Sequence, residues 1–254
     1  MQRLRLPDFA AAALLAAALF ATGCATVQAP APGAPPPAES EVRVPVVLVP
    51  GITGTALKDQ SSGEPVWGLG RHLVGPRDGG YNLVRPLVDP LTETADDLVA
   101  GEVLRRVRLG PATKPVYGPI AERLTQHGFV EGDLHDPKPE QNYFPFAYDW
   151  RADNVLTAAK LRRTLDKLAD VRGNGYAVDL ICQSNGAHIC RYLLKYGGMS
   201  LTEAEAGRDA TPAPRFRIRK IILVGTSNGG SLRILREVHR GRKYLPVIGR
   251  TLQP

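Results

Sequence analysis

Val178-Asp179-Leu180-Ile181-Cys182-Gln183-Ser184-Asn185-Gly186-Ala187-His188-Ile189-Cys190-Arg191-Tyr192-Leu193-Leu194-Lys195 is an apolar run that breaks at a short polar turn and reopens with helical periodicity. The pattern predicts a buried strand, a sharp turn and a helix. A serine on such a turn sits in a strained backbone conformation with its hydroxyl exposed, and the residues two places on either side must be small because strand and helix converge there. Cys182 and Gly186 meet that demand, so the string reads as a G-x-S-x-G nucleophile elbow with cysteine in the first glycine's place. An ordinary strand and helix with an incidental serine gives the same five letters. The strand before and the helix after are the context that favours the elbow, with Ser184 as the candidate nucleophile.

Working outward, Val44 to Val49 is rich in β-branched residues and suits a strand buried on both faces. It runs into Pro50-Gly51-Ile52-Thr53-Gly54-Thr55, which is either a plain chain reversal or, beside an elbow, a source of backbone N–H groups for an oxyanion hole. No lysine follows these glycines where a phosphate loop needs one. Lys58 to Leu98 shows no period and is too long for a mere connection, so it reads as a lid, a lipid-contacting flap or a structural loop. Val103 to Leu109 suggests a short strand, Val116 to His127 a helix stopped by Gly128, and Tyr143 to Tyr148 an aromatic strand. Asn154 to Val171 is an amphipathic helix, with Leu156, Leu165 and Leu168 facing inward and Arg162, Lys167 and Asp170 outward. Ile218 to Val224 is a further buried strand. Strands alternating with helices in this order predict an α/β fold, a mostly parallel sheet with helices on both faces.

At the N-terminus, Arg3 and Arg5 precede an Ala/Leu run from Ala10 to Ala21 that is too short to span a membrane comfortably and reads as an export signal. Phe20-Ala-Thr-Gly-Cys24 resembles a lipobox, which makes Cys24 the candidate lipidation site; by resemblance to lipoprotein sorting, Ala25 rather than aspartate after it implies the outer membrane over the inner. The expected organisation is a lipoprotein signal over 1–23, a Pro/Ala-rich tether over 24–41, a core over 42–228 and the start of a cap region over 229–254. With Cys24 assigned to lipid, only Cys182 and Cys190 remain. Their positions, at a strand end and two turns into the following helix, argue against a bridge, because a disulfide needs Cα atoms within about 7 Å. Hydrophobic content of 43% with 22% charged residues is that of a globular protein. From Arg215 onward ten Lys or Arg face only Glu237, more positive charge than the net +7 of the whole chain. Arg233, Arg236, Arg240, Arg242 and Lys243 suit either anionic lipid headgroups or a solvated face. An exported protein without a nucleic-acid motif makes nucleic acid a poor partner. No metal and no cofactor is called for.

Five stretches, Val46-Val-Leu-Val-Pro-Gly-Ile-Thr-Gly54, Val66-Trp67, Tyr148-Asp-Trp-Arg151, Gln183-Ser-Asn-Gly186 and Lys220-Ile-Ile-Leu-Val-Gly-Thr226, together resemble the lecithin:cholesterol acyltransferase-like branch of the α/β-hydrolases. The resemblance implies an α/β-hydrolase fold and a lipid acyl-ester hydrolase or O-acyltransferase working through an acyl-enzyme on Ser184. It implies backbone amides of Thr53 and Asn185 as the oxyanion hole, and a lipid or acyl-ester substrate at the membrane. Gln183 stands where the family usually has histidine, and Ser227 where it usually has proline. The family's catalytic acid and histidine come from loops beyond the cap, so this chain reads as lacking the last strands and the rest of the triad. Of its histidines, His188 reads as packed on the elbow helix, and His239 is a weak candidate base. Asp149 reads as a structural partner of Arg151. The competing expectation is a catalytically dead lipoprotein that keeps the fold and binds lipid.

Overall fold

The computed structural model describes residues 43–74, 83, 97–209, 212–232, 235, 236 and 239. The expected signal, Cys24 and the proline-rich tether lie outside the described residues, as do Arg233, Arg240, Arg242 and Lys243 of the basic segment. In chain order the elements are β1 (Val46–Val49), β2 (Thr55–Asp59), β3 (Pro65–Trp67), α1 (Gly70–Val74), β4 (Leu98–Val103), β5 (Arg106–Leu109), β6 (Ala112–Pro115), α2 (Gly118–Gln126), β7 (Tyr143–Pro145), α3 (Asn154–Arg172), β8 (Tyr176–Gln183), α4 (Asn185–Tyr196), α5 (Leu201–Glu205) and β9 (Phe216–Val224).

A parallel four-stranded sheet in the order β7-β1-β8-β9 makes the chain an α/β protein. Four consecutive apolar β-branched or leucine residues place β1 between two partners, and every one of them is buried. Its side chains alternate between two cores, as a period of two requires. Val47 and Val49 join Leu161, Leu165 and Leu168 of α3 and Ile189 and Leu193 of α4, whereas Val46 and Leu48 join Ala121 of α2, with Ile120 and Leu124 against them. Helices therefore cover both faces of β1.

Local chemistry fixes the helix ends. Asp153 caps α3 by accepting a hydrogen bond from Val155 N–H at 2.6 Å, and Gly197 ends α4 in the left-handed region that favours glycine. Ser200 and Glu203 form a reciprocal capping box on α5.

Five expectations need correction. The run over 218–224 is a strand but not a buried one: Ile222, Leu223 and Val224 of β9 are 50%, 41% and 45% exposed. The stretch from 103 to 109 is not one strand: β4 ends at Val103, and β5 pairs instead with β6 in a separate hairpin. The start of the aperiodic excursion holds β2, β3 and α1; β2 pairs with β3 and β4 through bulged registers, which erase the regular alternation. Arg162 does not face solvent. It is 7% exposed, and its guanidinium donates to Asp166, to Gly197 O at 2.8 Å and to Pro212 O at 2.6 Å, so a charged residue on the buried face is held by three acceptors. Finally, Cys182 and Cys190 are disulfide-bonded, with Cα atoms 6.5 Å apart. The turn at Ser184 folds α4 back over its own strand, which brings the second helical turn opposite the strand's end.

Among the described residues no helix is long and apolar enough to cross a membrane.

Candidate active site

Ser184 is the junction between β8 and α4, and its backbone has φ 50° and ψ −116°. Among the described residues it and Thr53 (φ 66°) are the only non-glycine residues with positive φ. Such conformations cost about 1–3 kcal/mol and persist only where the surroundings over-determine them. Three contacts do so here. Ser184 N–H donates to Val224 O at 2.9 Å, which ties the turn to the end of β9. Gly186 lies so close to β1 that a Cβ there would stand 2.4 Å from Val49 O and 2.5 Å from Pro50 O. A Cβ on Gly51 would meet Gln183 Oε1 at 2.4 Å and Ser184 Cβ at 2.9 Å, so the 50–54 loop lies directly against the serine.

The loop's second strained residue, Thr53, is held by its neighbours. Its carbonyl accepts from Trp67 Nε1 at 3.0 Å, and Gly54 N–H closes a turn onto Gly51 O. Trp67 meets Trp150 edge to face at 5.5 Å, and Trp150 Nε1 donates to Thr55 O at 3.0 Å. Tyr148 donates its hydroxyl to Pro50 O at 2.9 Å; burial pushes its pKa up to about 12, so it remains a neutral donor across the ordinary pH range. The Tyr148-Asp-Trp-Arg151 stretch is thus a buttress for the loop beside the serine. Asp149 is engaged in that buttress: Arg151 donates Nε to Oδ1 at 2.9 Å and Nη2 to Oδ2 at 2.7 Å. The bidentate pair gives Asp149 a structural role, as the sequence suggested.

Asn185 follows the serine at the first position of α4. Its side chain exchanges two hydrogen bonds with Asn154, at 2.9 and 3.1 Å, which fixes the amide. Among the described residues, neither Thr53 N–H nor Asn185 N–H has an acceptor. These two unspent donors belong to the two segments that meet at Ser184, the 50–54 loop and the first turn of α4.

Tyr117 was not singled out by sequence. From the N-cap of α2 its hydroxyl donates to Gln183 Oε1 at 2.7 Å and accepts from Gly51 N–H at 2.8 Å, joining the residue before the serine to the loop. Burial raises its pKa. A lone tyrosine at a helix start carries no sequence signal for this role; only the tertiary contact reveals it.

The histidines do not converge on Ser184. His188 is exposed on α4 rather than packed; His127, His135 and His239 are exposed as well, and His72 is half-buried. Among the described residues no histidine or carboxylate hydrogen-bonds the Ser184 hydroxyl, and no group of three or more His, Cys, Asp or Glu is arranged to hold a metal ion. No family model, curated protein or solved structure matches the chain.

Proposed function

We propose that the chain has an α/β-hydrolase fold and is a serine esterase or O-acyltransferase acting on lipid acyl esters. Ser184 Oγ would attack the ester carbonyl, the tetrahedral oxyanion would sit between Thr53 and Asn185 N–H, and the alcohol would leave to give an acyl-enzyme. Water or a second alcohol would then take the acyl group. The observation that carries this reading is the backbone of Ser184, a non-glycine residue at φ 50° between a buried parallel strand and a helix, with Gly186 against β1. The order β7-β1-β8-β9 and the meeting of all five family-like stretches around the serine support it. The choice of lipid rests on the family resemblance and on the lipobox-like Cys24, which would anchor the protein in the cell envelope, on the outer membrane.

A second reading has its own observation. With no base bonded to Ser184 among the described residues, the chain suits a lipid-binding lipoprotein of the same fold without turnover. A fluorophosphonate probe separates the two. On the first reading Ser184 is labelled and Ser184→Ala abolishes both labelling and hydrolysis of a short aryl ester, while Ser227→Ala costs little. If no histidine serves Ser184, turnover would fall by about a million-fold but stay roughly a thousand-fold above water. Equal losses from both variants would mean that the elbow is misplaced. Uptake of labelled palmitate lost in Cys24→Ala tests the anchor.

A further inference from the structure

The disulfide and the strained turn occupy the same few residues. Cys182 is the seventh residue of β8 and Cys190 lies in the second turn of α4, so the bond closes a short ring in the chain that contains Gln183, Ser184, Asn185 and Gly186. Both cysteines are fully buried, within the core formed by β1, β8, α3 and α4. Of the other restraints on Ser184, the hydrogen bond to Val224 O comes from a strand end whose side chain is 45% exposed, and the contact at Gly186 only excludes volume. The disulfide is the restraint that fixes strand and helix to each other covalently, whatever β9 does.

We propose that the Cys182–Cys190 disulfide is a positioning device for Ser184, holding the serine in its reactive turn so that the nucleophile is competent only in the oxidised chain. This rests on the reading of Ser184 as nucleophile. Forming the bond removes two protons and two electrons from the two thiols. A disulfide-bearing oxidant of the envelope accepts them by thiol–disulfide exchange, its own S–S bond breaking into two thiols. Because both sulfurs are buried, exchange in either direction requires α4 to undock from its strand. A chain folded in a reducing compartment would then carry an untied elbow, and the serine would be assembled for attack on acyl esters only after export.

The test uses the full chain in three forms: oxidised, reduced with a phosphine, and as Cys182→Ala/Cys190→Ala. Fluorophosphonate labelling of Ser184 is timed by intact mass at a temperature at which circular dichroism shows each form folded. Amide exchange at 184–187 is read in parallel. The expected result is labelling roughly 10- to 100-fold slower in the reduced and doubly substituted chains, with faster exchange at 184–187, unchanged exchange over Leu161 to Leu168, and recovery when the reduced chain is reoxidised with oxidised glutathione. Loss of a disulfide that only stabilised the fold would lower the melting temperature and leave the labelling rate alone. Equal rates in all forms, or two free thiols in the denatured, unreduced protein, would overturn the proposal. If the double variant does not fold, the reduced and reoxidised chains decide. Absence of Ser184 labelling in every form would instead overturn the nucleophile reading beneath it.

Discussion

The two parallel strands that flank the serine's backbone contacts, β1 and β9, are built from similar residues and live in different surroundings. Val47 and Val49 of β1 are 0% exposed, whereas Ile222 and Val224 of β9 are 50% and 45% exposed. β1 has a strand on each side and helices on both faces; β9 is the last strand of the sheet among the described residues and keeps cover mainly at Phe216, Ile218 and Ile221. β1 is thus held by side-chain burial and β9 largely by its ladder to β8. A hydrophobic run specifies a strand in both cases, but only cover converts the run into stability. The Ser184 turn is suspended between the two, with Gly186 pressed against the first and Ser184 N–H hydrogen-bonded to the second.

The largest expected effect comes from inserting one methyl group on the covered side. Gly186→Ala places a Cβ at 2.4 Å from a β1 carbonyl, and backbone on backbone has nowhere to yield. The cost should be about 3 kcal/mol or more, read as a lower urea midpoint. Gly229→Ala, in the loop after β9, meets nothing within 4 Å and should stay within about 0.5 kcal/mol. Similar costs at both sites would erase the contrast.

Alkaline unfolding should report on the covered side alone. Burial raises the pKa of Tyr143 and Tyr148 to about 12 each and raises that of Tyr176 too. A raised pKa means that the folded chain keeps its proton longer than the unfolded one. The corresponding stability is fully present below pH 10 and is lost as pH rises toward 12, by about 2–3 kcal/mol per tyrosine. Denaturation midpoints between pH 9 and 12 check this, and Tyr148→Phe should flatten the slope.

Tyr117→Phe removes the hydroxyl between Gly51 N–H and Gln183 Oε1 and leaves both without that partner. A loss of about 1–3 kcal/mol is expected, together with slower labelling of Ser184; an unchanged melt and rate would show the bridge to be idle. The smallest effect belongs to the open strand. Ile222→Lys should change monomer stability by about 0.5 kcal/mol or less and reduce concentration-dependent self-association in sedimentation, because an uncovered apolar edge is a template for pairing.

Sequence carried the reading furthest where one local demand governs each residue. The strand–turn–helix around Ser184 is such a case, since a small residue at 186, a serine at the turn and helical spacing from 187 are all written in consecutive letters. The 50–54 loop was legible as glycine-rich, but that Thr53 rather than a glycine takes the positive φ depends on Trp67 and its carbonyl contact. Arg162 was misread because helical periodicity places a charge on a face without knowing that Gly197 and Pro212 bring carbonyls to it. The disulfide was misread for a related reason. Positions along a strand and a helix were treated as diverging, while the positive φ of Ser184 folds one back on the other.

The order β7-β1-β8-β9 also sets a timetable. β1 is the first strand of its sheet to leave the ribosome, yet its two neighbours begin at Tyr143 and Tyr176. At synthesis rates of about 5–20 residues per second, β1 waits on the order of 5–20 s for the first of them. During that interval Val46 to Val49 has no strand of its own sheet to join, and closing the gap costs loop entropy before any contact repays it. On the export reading the same tetrapeptide must be kept from premature pairing until the partner strands are across the membrane, so a chaperone that shields it would raise the yield more than one that shields the helices.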